Sequence, residues 1–327
     1  MSAARNAVLV AGSANLDFVV RASHVPRPGE TVLGRGFVTA PGGKGANQAV
    51  ACARAGGADT RMLLALGDDA FAQPIEQSLR DAGVRAHVVR SAALPTGTAF
   101  ICIGDDAENA ITVAPGANAA LTEADLPPLD GVAWLLLQLE TPLDVVAGYA
   151  RAARAAGAKV ALNAAPAQAL PAELLAQVDL LIVNEGELAA LAGDRGGIAA
   201  AAAALDVPCV AVTLGARGCL VRDGAKCHLQ PAFAVAALDT TAAGDTFCGV
   251  LVAALAGGAA LPEALRRACA ASALACTRLG AQPSIPTRGE VDAFLRQAPP
   301  AAPQLLAELA DHCGLAPDSP ARRIVPA

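Results

Sequence analysis

Short, wholly apolar runs set apart by helix-length segments constrain this chain more than any other feature. Val8-Leu9-Val10, Met62-Leu63-Leu64, Trp134-Leu135-Leu136-Leu137, Val160-Ala161-Leu162, Leu180-Leu181-Ile182-Val183 and Val210-Ala211-Val212 leave no polar alternate face. A strand can afford that only if both of its faces are covered. Between these runs, residues 46–55, 70–82, 143–156, 198–205 and 262–278 have helix-like patterns, and the 199–204 run of alanines belongs with them because alanine is the best helix former. Alternation of this kind predicts an α/β fold: a central, mainly parallel sheet flanked by helices on both faces and wound by right-handed crossovers.

Two stretches depart from that rhythm. Within 15–40 and 97–115 lie the β-prone pieces Asp17-Phe-Val-Val20, Thr31-Val-Leu33, Thr98-Ala-Phe-Ile-Cys-Ile103 and Ala110-Ile-Thr-Val113, joined by Pro26-Arg-Pro-Gly29 and Gly104-Asp-Asp106 without helices between them. They predict a small antiparallel sheet projecting from the main body as a lid. Beyond residue 298 the chain turns Pro/Ala-rich, with a helix expected near 304–313 and a proline-containing tail. A domain over 1–298 with an appended extension over 299–327 is the expected division.

Charge and composition narrow the partners. A net charge of −6 without a Lys/Arg run, and an aromatic content of 3%, argue against nucleic acid and against an acidic membrane surface. The apolar run at 7–11 is too short for a signal-peptide core or a membrane span, so a cytoplasmic protein is expected. The nine cysteines form no C-x-x-C pair and have no histidine at metal-ligand spacing, so they read as reduced, buried thiols. His24, His87, His228 and His312 match no catalytic pattern. A small molecule remains as the partner.

The chemistry concentrates in a few strings. Asp239-Thr-Thr-Ala-Ala-Gly-Asp245 runs directly into the apolar segment 246–252. Small residues before a helix leave main-chain N–H groups free to converge on an anion, so Ala242, Ala243 and Gly244 are candidates to hold a phosphate. Asp245, at the same helix start, is the candidate general base for an attacking hydroxyl. In Gly42-Gly-Lys-Gly-Ala-Asn-Gln-Ala49 the glycines, Gly43 among them, allow close approach to a ligand, while Lys44 and Asn47 offer donors to hydroxyl oxygens. The string is no P-loop, since Gly45 follows Lys44. Asn15 and Asp17 stand two apart on an expected strand and so face one side, where a carboxylate suits a vicinal diol; the same spacing also describes a solvated turn. Asn184 and Glu187 follow the run at 180–183, where parallel-sheet proteins keep ligands, although a helix N-terminal carboxylate looks the same. Thr213-Leu-Gly-Ala-Arg-Gly218 reads, unaided, as a turn.

In these strings, and in Gly12-Ser-Ala-Asn-Leu-Asp17, Pro28-Gly-Glu-Thr31, Gly116-Ala-Asn-Ala-Ala120, Gln138-Leu-Glu140 and Gly280-Ala-Gln-Pro-Ser284, the chain resembles the ribokinase group of the PfkB-type carbohydrate kinases over roughly residues 7–297. The resemblance implies a ribokinase-like fold and ATP-dependent phosphorylation of D-ribose at its 5-hydroxyl. It implies that Asn15, Asp17, Gly43, Lys44, Asn47 and Glu140 line the sugar pocket, with Asp245 beneath the primary hydroxyl. Asn184, Thr213, Gly215, Gly218 and Gly244 would lie along the nucleotide, and Mg²⁺ would sit near Asn184 and Glu187. Asp239, Thr241, the Arg278 carbonyl, Gly280 and Ser284 would surround an activating K⁺. The small sheet is expected to close over the sugar, and its exposed face offers a dimer surface, so a homodimer through the lid is expected. Deoxyribose, nucleoside and phosphosugar kinases remain open within the class, as does, outside it, a sugar-binding regulator without catalysis.

Overall fold

The computed structural model describes residues 5–105 and 109–315; Asp106 of the expected lid turn and the tail from 316 lie outside them. In chain order the strands are β1 (Ala7–Ala11), β2 (Asn15–Arg21), β3 (Phe37–Gly42), β4 (Thr60–Gly67), β5 (Arg85–Ser91), β6 (Gly97–Ile103), β7 (Asn109–Ala114), β8 (Val132–Leu137), β9 (Lys159–Asn163), β10 (Leu180–Asn184), β11 (Cys209–Thr213), β12 (Gly218–Asp223) and β13 (Lys226–Pro231). The helices are α1 (Lys44–Val50), α2 (Ala72–Asp81), α3 (Leu143–Ala155), α4 (Ala172–Leu175), α5 (Glu185–Ala192), α6 (Ile198–Ala203), α7 (Ala243–Ala256), α8 (Leu261–Cys276), α9 (Arg288–Gln297) and α10 (Pro303–His312). A single π-turn, Ala51–Ala55, continues α1.

Nine strands form the main sheet in the order β13-β12-β11-β10-β9-β8-β1-β4-β5. Every pairing from β11 to β5 is parallel, and β12 and β13 close one edge as antiparallel strands. Alternate residues of each apolar run feed different cores. Leu9, Leu63, Leu135, Leu162 and Leu181 pack with α3, α5, α6 and α10, while Val8, Val10, Met62, Leu64, Leu136 and Ile182 pack with α1, α2, α7, α8 and α9. This two-sided burial is the reason the runs carry no polar residue. From β1 the chain winds one way to β4 and β5, and from β8 the other way to β11. The order therefore reverses between β1 and β8, and a crevice opens at the carboxyl ends of those strands.

The lid is a four-stranded sheet, β3-β2-β6-β7. Its outer pairings are antiparallel as expected, but the central one, β2 with β6, is parallel, from Asn15 opposite Gly97 to Arg21 opposite Ile103. The reason is topological: β2 and β6 follow β1 and β5, which leave the main sheet in the same direction. The expected strand at Thr31-Val-Leu33 is not formed, and Leu33 is 88% exposed. The pairing goes instead to β3, whose Gly42 ends opposite Asn15 and delivers the chain into α1.

The extension is not detached up to Leu315. Leu306, Leu309, Ala310, Cys313 and Leu315 are buried in the core beside Leu229 of β13 and Ala201 and Ala202 of α6, and the Ala199 N–H bonds the Cys313 carbonyl at 2.9 Å. An amphipathic helix with period 3.6 lies within the Pro/Ala-rich composition.

Candidate active site

The first turns of α1 and α7 meet at the crevice. No side chain caps α7, and the Gly244 amide has no partner in the helix's own ladder; the Ala243 N–H, expected to face a phosphate, is instead donated to the Thr240 carbonyl at 3.1 Å. A Cβ built on Gly244 would meet nothing within 4 Å, which leaves this backbone open to a ligand. Asp245, in the same turn, is 8% exposed. Its Oδ2 accepts from Asn47 Nδ2 at 2.9 Å and its Oδ1 from Gln48 Nε2 at 3.0 Å. Burial raises the Asp245 pKa; the Lys44 ammonium and these two amides pull the other way, and Glu140 adds to the rise. A buried carboxylate held by neutral donors beside one cation can take up a proton from a hydroxyl placed over it.

On one side of Asp245 lie β2 and the Gly42–Gly45 turn. Asn15 and Asp17 are both buried, at 2% and 7% exposure. Gly43 has φ +87°, and a Cβ there would lie 2.8 Å from Ala14 Cα; at Gly42 it would lie 2.1 Å from Asp17 Oδ2. Side chains are excluded at both positions, which lets the turn close against β2. The Asp17 carboxyl is pushed up to about 7 by burial and by the nearby charges of Glu140 and Asp245. Asn47 Oδ1 is buried with no hydrogen-bond partner, an acceptor suited to a ligand hydroxyl. Asn15 Oδ1 already accepts from Asn118 Nδ2 at 2.8 Å, leaving its amide nitrogen to face outward interactions. Glu140 Oε2 accepts from Ser13 Oγ at 2.5 Å and from the Lys44 main-chain N–H at 3.1 Å, so this carboxylate fastens the start of α1 to the end of β1.

On the other side the site widens. Lys44, Asn184, Glu187, Thr213 and Gly244 line, with Asp245, a narrow cavity of about 110 Å³. The resemblance groups Lys44 with the sugar contacts, but its side chain shares this cavity with the residues assigned to nucleotide and Mg²⁺. Burial alone would lower the Lys44 pKa; the carboxylates of Asp245, Glu140 and Glu187 outweigh it and raise the pKa, so the ammonium stays charged. Asn184 and Glu187 form a capping box, with the Glu187 N–H bonding Asn184 Oδ1 and the Asn184 N–H bonding Glu187 Oε2, each at 2.8 Å. Beyond them a larger cavity of about 450 Å³ runs along Thr213, Gly215, Gly218 and Gly244, with an apolar wall from Phe233, Val235 and Phe247. It has the size and lining of a site for a planar organic group.

Asp239, Thr241 and the 278–284 turn come together beside the start of α7. Asp239 Oδ1 accepts from the Thr241 N–H at 2.9 Å and its Oδ2 from the Gly280 N–H at 2.9 Å. The Arg278 guanidinium is turned away to Glu290, and the Ser284 hydroxyl bonds the Ala281 carbonyl at 2.7 Å. Carbonyl and hydroxyl oxygens of this kind suit a hard monovalent cation.

Sequence reasoning missed Ser13, Gln48, Asn118 and Gln138 behind the site and Asn163, which also lines the narrow cavity, all buried and all bonded to the residues above or to one another. Ser13, Gln48, Asn118 and Gln138 stand inside strings already singled out, so the signal was a buried polar residue beside a motif position.

An uncapped helix start with a buried carboxylate, beside buried polar side chains of β2 and α1 and a long, largely apolar cleft, fits a small-molecule kinase of the α/β class. The chain belongs to the pfkB family of carbohydrate kinases, whose model matches residues 5–288. It is 40% identical over 309 residues to a ribokinase of Haemophilus influenzae, covering 90% of this chain and all of the relative. Identity to a Bacillus subtilis ribokinase is 37%, over 88% of this chain and 99% of the relative. Among solved structures, a Thermotoga maritima ribokinase superposes with a TM-score of 0.82 at 37% identity, over 89% of this chain and 99% of that one. The Arabidopsis thaliana ribokinase complexed with ribose and ATP gives 0.81 at 33% identity, over 91% and 100%.

Proposed function

We propose that this chain is a ribokinase, which transfers the γ-phosphate of ATP to the 5-hydroxyl of D-ribose. The observation that carries the reading is the placement of Asp245, buried at the uncapped start of α7 between the buried polar side chains of β2 and α1 and the long cleft. In this reading Asp17 accepts from two adjacent ribose hydroxyls, while Asn15 and the free Asn47 Oδ1 take the others. Asp245 accepts the proton of the 5-hydroxyl as it attacks, and the amides of Ala242 and Gly244 and the Lys44 ammonium receive the charge that develops on the phosphoryl oxygens; the Ala243 N–H is already donated to the Thr240 carbonyl at 3.1 Å. The adenosine half of ATP lies in the 450 Å³ cleft along Thr213, Gly215 and Gly218. Glu187 and Asn184 offer one carboxylate and one amide, which fits Mg²⁺, an ion that keeps waters and phosphate oxygens as its other ligands and neutralises phosphate charge.

The test is ADP release with Mg-ATP across ribose, 2-deoxyribose, fructose, adenosine and fructose 1-phosphate. Ribose is expected to give the highest kcat/KM; preference for another acceptor reassigns the pocket, and silence on all five defeats the reading. Run with Na⁺ in place of K⁺, the same assay is expected to fall several-fold if the Asp239–Gly280 loop pair holds a monovalent cation, whereas equal rates would remove K⁺ from the account.

Asp17 makes a second prediction. With its pKa near 7, the carboxyl is partly protonated in the sugar-free protein at neutral pH. Donation by sugar hydroxyls favours the ionised form, so binding lowers the pKa and releases a proton. Ribose affinity is therefore expected to weaken about tenfold per pH unit well below 7 and to level off above it, with proton release in calorimetry near neutrality. An affinity that is flat across this range would contradict the role.

We further propose that two chains pair through the lid, in the cytoplasm. On the lid, Val38, Ile111 and Val113 lie exposed on one face and Phe37 and Phe100 on the other, so apolar groups are open on both sides of the sheet, and all nine cysteines are unpaired thiols, as a reducing compartment favours. Light scattering should return the mass of a dimer, and a monomer at micromolar concentration would remove the pairing. Among the described residues no helix is long and apolar enough to cross a membrane.

A further inference from the structure

Behind Asp245 lies a chain of buried amides that the proposed reaction does not itself require. Gln138 Nε2 donates to Gln48 Oε1 at 2.7 Å, and Gln48 Nε2 donates both to Asp245 Oδ1 and to Asn163 Oδ1, each at 3.0 Å. Asn163 Nδ2 donates in turn to the Ile182 carbonyl at 3.2 Å. Gln48 and Gln138 are completely buried.

The polarity of this chain is determined from one end. A main-chain carbonyl can only accept, so Asn163 must turn its nitrogen to Ile182 and its oxygen to Gln48. Gln48 must then present its nitrogen to Asn163, and the same nitrogen reaches Asp245. Its oxygen is left for Gln138, which holds it in that orientation. Gln138 Oε1 packs against Gly12, where a Cβ would lie 1.9 Å from it, and has no hydrogen-bond partner, so the orientation of Gln138 follows from the Gln48 oxygen it donates to. Were Gln48 flipped, an amide oxygen would face the carboxylate, and two acceptors would meet in a buried site.

We infer that Gln48, Gln138 and Asn163 are positioning residues that hold Asp245 oriented as an ionised base, with the direction of the whole relay set by the Ile182 carbonyl. The inference rests on the kinase reading above. Burial works against ionisation of Asp245, and a donor directed at Oδ1 opposes that effect while Asn47 occupies Oδ2, so the carboxylate cannot rotate away from the pocket. The other titratable groups facing Asp245 are Lys44 of α1, Asp17 of β2, Glu140 after β8, Glu187 of α5 and Cys248 on its own helix. None of them is altered by the substitutions that test the relay.

The test is the pH profile of kcat at saturating ribose and ATP, where Asp17 is already occupied. Gln48→Met removes one donor to the carboxylate, so the acid limb is expected to move up by about one pH unit. Near neutrality kcat should fall about tenfold and recover in alkaline buffer, with KM for ribose little changed. Gln138→Met leaves both donors to Asp245 in place but strips the Gln48 oxygen of its donor and so loosens the Gln48 amide, and should move the limb in the same direction by less. It carries the test if Gln48→Met does not fold. An acid limb that stays in place in these variants, whatever the size of kcat, would reduce the relay to packing and overturn the inference. A wild-type protein with no sugar-dependent ADP formation would instead defeat the kinase reading.

Discussion

Asp245→Asn is expected to lower kcat by about 10³- to 10⁴-fold while leaving the affinities for ribose and ATP within a few-fold of wild type. The change replaces one carboxylate oxygen by an amide nitrogen in a site where both oxygens already accept, from Asn47 and Gln48. One of those donors loses its acceptor, and no basic oxygen remains to take the hydroxyl proton. The ligand pockets are lined mainly by other residues, so binding survives. Equilibrium titration of each ligand beside steady-state turnover separates the two effects. Turnover within tenfold of wild type would mean that another group takes the proton.

Lys44→Met should be the next most damaging change. Lys44 lines the same narrow cavity as Glu187 and Asp245, and its ammonium stays protonated because those carboxylates and Glu140 outweigh burial. Without it the cavity holds carboxylates and no cation, at the place where the reading puts the transferred phosphate. We expect kcat/KM for ATP to fall by about 10²- to 10³-fold, comparable to removing a donor aimed at developing charge. The acid limb of turnover should also move to higher pH, since Asp245 loses the ammonium that opposes its protonation. Because the carbon stem is retained, the fold should hold. An unchanged kcat/KM for ATP would return Lys44 to the sugar side of the site.

Much of this molecule is legible in local strings. The apolar runs of β1, β4, β8, β9, β10 and β11 announce a sheet covered on both faces, because each residue of such a run has a core to enter. Where local propensity and closure disagree, closure decides. Thr31-Val-Leu33 is more β-prone than Phe37-Val-Thr-Ala-Pro-Gly42, yet only the second can pair along β2 and still reach the start of α1. In α10, Pro303 occupies the first turn, where proline costs nothing, and the alanines around it conceal a stripe of leucines.

The site divides in the same way. Asp245, Asn47 and Asp17 were visible because each stands in a short motif with an intelligible local geometry. The relay behind Asp245 was not, because Gln48 meets Gln138 across 90 residues and Asn163 across 115. A glutamine in a string does not disclose that it is buried, nor which end of its amide faces a carboxylate. Those facts follow from the meeting of α1, α7 and the ends of β8 and β9, which is a property of the whole sheet.

The central claim is that the pocket beneath the lid presents the primary hydroxyl of ribose to Asp245 and the γ-phosphate of ATP. Phosphorus and proton NMR of a reaction containing the wild-type chain, Mg-ATP, K⁺ and ribose test it most directly. The account predicts ADP and one new phosphomonoester coupled to the two protons on C5 of the sugar. Phosphate on another carbon, or ADP and free phosphate formed equally without ribose, would contradict it.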